Sequence, residues 1–123
     1  MAWNTPDVYY DPEKFGLTKI AELDYTMHAY SFNLYIVWQH EDGRIFAASD
    51  SGCSCPSPFE DYTTLESLVP FEIPDFHKAV EDAMAIVENE AFGRHNDGQQ
   101  YLDDMAASYA DFVADLSKAA AKE

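Results

Sequence analysis

Tyr30-Ser-Phe-Asn-Leu-Tyr-Ile-Val-Trp-Gln-His-Glu-Asp-Gly-Arg-Ile-Phe-Ala-Ala-Ser-Asp50 is the stretch that decides the fold class. Phe32, Leu34, Ile36 and Trp38 alternate with Ser31, Asn33, Tyr35, Val37 and Gln39, and a period of two belongs to strands. Glu41-Asp42-Gly43 breaks the alternation and suits a three-residue hairpin with Gly43 in the left-handed position. That loop length puts Phe46 and Ala48 on the face of Trp38 and Ile36, whereas a two-residue loop would turn Phe46 outward. Strands are therefore predicted over about Tyr30 to His40 and about Arg44 to Asp50.

Upstream, Ala21, Leu23 and Tyr25 predict another strand over about Lys19 to Thr26. A tight turn at His28 and Ala29 would set Leu23 opposite Leu34, Tyr25 opposite Phe32 and Ala21 opposite Ile36, with all of these on one face. Before it, Asp11 as N-cap, Pro12, Glu13 and Gly16 spell one helical turn anchored by Tyr9, Tyr10 and Phe15.

Downstream, Ser51 to Pro58 reads as a loop, and Thr63 with Glu66 is spaced as a capping box for a short helix to Leu68. A long helix is predicted from about Asp75 to Phe92, ending at Gly93, with Phe76, Ala79, Val80, Ala83, Met84, Val87 and Ala91 on its apolar face. A second begins near Asp97, and its Leu102, Met105, Tyr109, Phe112 and Leu116 form a seam facing the first helix, or in a minority arrangement a symmetric homodimer. The expected architecture is α+β: a three-stranded antiparallel β-meander packed against a C-terminal helical hairpin. One domain over residues 1–117 is expected, with residues 118–123 a frayed tail.

The 123 residues carry 7 Lys plus Arg against 23 Asp plus Glu, a net charge of −16. A hydrophobic fraction of 47% and an aromatic fraction of 15% exceed what a disordered acidic tail carries. So acidic a chain excludes direct binding of nucleic acid or an anionic membrane, both of which need Lys and Arg, and matches a basic partner protein. No segment has the length and apolarity of a membrane span, no signal peptide is evident, and two cysteines make no disulfide framework, so a cytoplasmic setting is expected.

The charge is ordered only in the helices. Asp104, Asp111 and Asp115 lie seven and four residues apart, close to whole turns, and Glu81 and Glu88 do the same with Asp82 beside them. Like charges four apart and aspartate inside a helix each carry a small penalty, on the order of 0.2–0.5 kcal/mol. Those six carboxylates are either a face for a basic partner, one that imitates the spaced phosphates of nucleic acid, or a solubilising surface.

Cys53 and Cys55 supply at most half of a structural zinc site, with His28 as the nearest candidate third ligand. His40 falls at the opposite end of the hairpin, roughly 30 Å away at 3.3 Å per residue. Asp50-Ser51-Gly52 lacks the strand–turn–helix setting of a nucleophilic serine, and no phosphate-binding glycine loop is present. No catalytic residue and no cofactor other than that zinc is indicated.

The string Phe46-Ala-Ala-Ser-Asp-Ser-Gly-Cys-Ser-Cys-Pro-Ser-Pro-Phe-Glu-Asp-Tyr-Thr-Thr-Leu-Glu-Ser-Leu68, with Tyr9 to Leu17 and the Trp38 to Arg44 hairpin before it, resembles a small uncharacterised family of actinobacteria and their bacteriophages. The resemblance spans about residues 9–70, centres on Ser51 to Glu60, and leaves the helices outside it. It implies a phage accessory product in a bacterial cytoplasm, of the kind that redirects a host protein.

Overall fold

In the computed structural model, which describes residues 7–25, 31–53, 59, 62–93 and 99–121, the alternating stretch forms the central pair of an antiparallel sheet. The strands are β1 (Leu17–Asp24), β2 (Ser31–His40), β3 (Ile45–Cys53) and a two-residue β4 (Glu72–Ile73), in spatial order β1-β2-β3-β4. The fourth strand lies beyond the expected meander. It sets Ile73 opposite Ile45 and Glu72 opposite Phe46.

The β2–β3 hairpin has the expected three-residue loop. Trp38 faces Phe46 and Ile36 faces Ala48, while His40 N–H donates to Arg44 O at 2.8 Å and Gly43 has φ +100°. The β1–β2 register is a correction. Leu17, Thr18 and Lys19 pair with His40, Gln39 and Trp38 as expected, but the pairing then shifts by one: Ala21 faces Val37 and Leu23 faces Tyr35. Ile20 is the extra residue of a β-bulge, and because side chains alternate faces, one inserted residue sends everything beyond it to the other side. Leu17 thus packs with Trp38, whereas Ala21 and Leu23 pack with Tyr35 and Val37.

Both faces of β2 are therefore covered, and its residues from Leu34 to Trp38 are all buried. Tyr35 and Val37, expected to point outward, belong to the core beneath the helices. These are α1 (Phe76–Gly93) and α2 (Gln99–Ala121), laid on the face of Ala21, Leu23, Tyr35, Val37, Ile45 and Ala47. Asp75 caps α1, its Oδ1 accepting from Lys78 N–H at 3.0 Å. Ala79 and Ala83 are fully buried, so α1 approaches the sheet closely, and Phe112 and Leu116 of α2 complete the layer. Along α2, Met105, Phe112 and Leu116 are buried as the seam predicts, but its main neighbour is β1 and only secondarily α1. Met84, placed on the apolar face of α1 by spacing, is 47% exposed, and Ile86 packs inward instead. The helix runs on to Ala121 with Ala119 half-buried, past the point where fraying is expected.

On the opposite face Trp38, Phe46, Phe59, Val8, Leu34 and Ile36 form a second core, covered by irregular chain. Trp38 Nε1–H donates to Val8 O at 3.0 Å, so the indole is buried with its one donor satisfied. The turn Pro12–Phe15 is 3-10 and ends at Gly16 with φ +73°, but Asp11 supplies no side-chain cap. Asp7 does the local work instead, its Oδ1 accepting from Tyr9 and Tyr10 N–H, both at 2.9 Å. Further on, Leu65–Ser67 is a 3-10 turn capped by Thr64, one residue later than the capping box suggests, and Val69–Phe71 is another.

Candidate functional site

The sheet and the helices put the carboxylates singled out by spacing into unlike surroundings. Glu81 and Glu88 are exposed on α1, and Asp104, Asp111 and Asp115 are exposed on α2. Asp103 and Asp104 each take part in an interaction within the chain. Glu81 lies 3.7 Å from His77 Nε2. Among the described residues no ion pair engages Glu88, Asp111 or Asp115.

Asp82 stands apart. It sits on the other flank of α1, where its Oδ2 accepts from Tyr35 O–H at 3.1 Å and its Oδ1 binds Lys78 Nζ at 2.8 Å. Burial pushes the Tyr35 phenol far above its ordinary range, and the Asp82 charge adds to that shift. Asp82 in turn raises the Lys78 ammonium. The Tyr35–Asp82–Lys78 chain fastens α1 to the sheet. Sequence spacing gave no sign of this, because Tyr35 reads as an outward residue until β1 shifts register.

The row on α2 runs beside the free edge of β1. Ser108 Oγ accepts from Asp24 N–H at 2.9 Å, closing that edge at one end. Toward the other end the two elements part and leave an open cleft of about 830 Å³ between Asp115 and Lys118 of α2, the first residues of β1, and the β2–β3 hairpin. Glu13 and Glu41 stand on its walls, and Lys19 there is held by Glu22 at 2.9 Å. His40 also faces it, with Nδ1 3.1 Å from both the backbone N and the Oδ1 of Asp42. Asp42 is held below the usual carboxylate range, first by the backbone N–H of Arg44 and then by its guanidinium. No sequence motif marks this cleft, because its walls come from three separate stretches of the chain.

The cysteine motif is visible at its two ends. Cys53 closes β3, its backbone opposite Ser31, at the opposite end of the sheet from His40. Cys55 and His28 lie outside the described residues, and so does the zinc geometry expected of them with Cys53. Among the described residues no group of three or more His, Cys, Asp or Glu is placed to hold a metal ion. At the far end Phe59 has φ +59°, unusual for a bulky residue, yet it is fully buried. Its N–H donates to Asp50 Oδ2 at 2.7 Å, while its ring meets Trp38 edge-on at 5.3 Å, Tyr62 at 5.2 Å and Tyr9 in a stack at 6.0 Å. Asp50 and Phe59 thus clamp the ends of the most distinctive segment of the chain. Sequence reading missed this keystone, although an aromatic following Pro58 in an otherwise polar loop was the available signal.

No helix among the described residues is long and apolar enough to cross a membrane. No curated protein and no solved structure matches the chain. A family model described as a domain of unknown function, DUF7574, does match, over residues 6–121. That span takes in both long helices as well as the clamped loop, so the helices are part of the shared domain rather than an addition to it, and the chain belongs to this family.

Proposed function

We propose that this chain is a non-enzymatic binding protein whose acidic helical surface docks on the basic surface of another protein, as an accessory product of a bacteriophage acting in the cytoplasm of an actinobacterial host. The observation that carries the reading is the contrast among its carboxylates. Two of the five lysines, Lys19 and Lys78, are paired with Glu22 and Asp82, while Glu88, Asp111 and Asp115 stay exposed with no ion pair among the described residues. Unpaired surface charge steers a complementary partner at a distance and accelerates encounter. The resemblance of the Ser51 to Glu60 loop to proteins of actinobacteria and their phages supports the setting, and host proteins that handle DNA are the partners whose basic surfaces suit such a row.

Affinity capture from an actinobacterial lysate at low and high salt tests the proposal, with the Asp104→Lys, Asp111→Lys, Asp115→Lys variant as control. A specific partner is expected at low salt, lost at high salt and lost with the variant, because exposed charges are screened beyond about 10 Å at 0.1 M salt. Capture indifferent to both salt and charge reversal overturns it.

A further inference from the structure

We propose that the cleft at the free edge of β1 receives a long cationic side chain, arginine or lysine, projecting from the basic segment held by the carboxylates of α2. The inference rests on the binding function just proposed and adds to it a specific anchoring point. Asp115 belongs to both features, closing the exposed row of α2 and forming part of the cleft wall.

The electrostatics favour a cation. Glu13, Glu41 and Asp115 reach the cleft from the 3-10 turn, the hairpin and α2, and no ion pair among the described residues engages any of them. Of the two lysines present, Lys19 is neutralised by Glu22 and lies over the Tyr9 ring, which leaves Lys118 as the opposing charge. The His40 ring is engaged by Asp42, its Nδ1 lying 3.1 Å from Oδ1. The cleft also lies against the last turns of α2, whose terminal carbonyls lack intrahelical partners and carry the negative end of the helix dipole.

Size and spacing decide which cation. The carboxylates are spread over separate walls and do not converge as ligands of a metal ion. An opening of about 830 Å³ with Leu17, Ile20 and Ala119 on its walls suits a group with an aliphatic stem and a charged head. Strand addition to β1 is the poorer fit. The bulge at Ile20 and the charge of Lys19 are features that discourage edge pairing, and Ser108 already occupies the edge at Asp24.

The test is binding of an oligoarginine peptide to the full chain at low salt, against a citrulline peptide of equal length and shape without the charge. Thr18 is exposed and lines the cleft, so Thr18→Trp narrows it without altering charge. Arginine-dependent binding is expected to weaken about tenfold in Thr18→Trp and by a similar factor in Glu13→Gln with Glu41→Gln, carboxylates that lie off the α2 row. Lys118→Glu should tighten binding about threefold by removing the opposing ammonium. Should Thr18→Trp fail to fold by circular dichroism, the other two variants decide. If the peptide binds and reversal of the α2 row abolishes binding while the cleft variants match the wild type, the cleft anchor is wrong and the acidic-surface reading stands. If the wild type binds the two peptides equally or neither of them, both fall.

Discussion

The two faces of the sheet reach full burial by opposite means. Under the helices four alanines, Ala21, Ala47, Ala79 and Ala83, allow close approach among aliphatic residues such as Leu23, Val37, Ile45 and Leu116, with Tyr35 and Phe112 at a ring separation of 5.8 Å. On the other face no α-helix lies among the described residues, and large rings do the covering: Trp38, Phe46 and Phe59 inside, with Tyr9, Phe15 and Tyr62 around them. Regular elements satisfy their own backbone groups and can pack closely through alanine. Irregular chain must instead be tied down by particular bonds, such as Trp38 Nε1–H to Val8 O and Phe59 N–H to Asp50. The helical face depends on shape, and the aromatic face on a few anchored rings.

The sharpest way to break that contrast is to truncate one fully buried phenylalanine on each face. Phe59→Ala and Phe112→Ala should each cost about 3–5 kcal/mol, read as a fall in the urea midpoint. The glycine variants separate the faces. At position 112, inside α2, Phe112→Gly should be worse than Phe112→Ala by about 1 kcal/mol. At position 59 the order reverses, since φ +59° burdens alanine but not glycine by about 1–2 kcal/mol. If Phe59→Gly proves less stable than Phe59→Ala, the left-handed keystone is wrong.

Next in size is overpacking. Ala83→Leu inserts three carbons where α1 meets the sheet and should cost about 1–3 kcal/mol. The same change at Ala85, exposed on that helix, should stay within about 0.5 kcal/mol. Equal unfolding midpoints for the two variants would show that close approach does not govern this face.

What the sequence disclosed follows the same division. The β2–β3 hairpin was legible because its determinants are local: an alternating run, a three-residue turn and Gly43 at positive φ. The bulge at Ile20 was not, because Leu17, Ala21 and Leu23 keep odd spacing straight through it and only pairing with β2 exposes the shift. With that shift hidden, Tyr35 and Val37 read as solvent-facing, since alternation presumes one wet face and cannot show a strand covered on both. Spacing along each helix singled out Glu81, Glu88, Asp111 and Asp115, which are exposed, but it grouped Asp82 with them although Asp82 turns back to the sheet. The cleft and the Asp50–Phe59 clamp were illegible for a related reason, being assembled from segments distant in the chain.

Tyr35 gives a pH-dependent test of the helical face. Its phenol is raised by burial and by Asp82, so the folded state keeps a proton that the unfolded chain releases near pH 10. The stabilising contribution is complete below that pH and is lost as pH rises through it, by up to about 1.4 kcal/mol per pH unit. Tyr35→Phe should cost about 1 kcal/mol at pH 8, where the bond to Asp82 disappears, and should flatten the alkaline decline between pH 10 and 11. A shallower residual slope is expected from Tyr9 and Tyr25, half-buried phenols also raised chiefly by burial. An unchanged alkaline slope in Tyr35→Phe would mean that this hydroxyl is not held against Asp82.

The smallest effect expected is at the edge that α2 guards. Ser108 Oγ accepts from Asp24 N–H, joining the helix to the last residue of β1, but the site is exposed and water can replace the hydroxyl. Ser108→Ala should therefore lower global stability by less than about 1 kcal/mol, aided by the better helix propensity of alanine. Its clearer signature is local. Hydrogen exchange at the Asp24 amide should quicken, because opening that end of β1 no longer breaks a bond to the helix, while the Val37 amide in the twice-covered β2 keeps its protection. Equal acceleration at both would mean that the edge and the centre of the sheet open together, and that Ser108 contributes to the whole fold rather than to the edge alone.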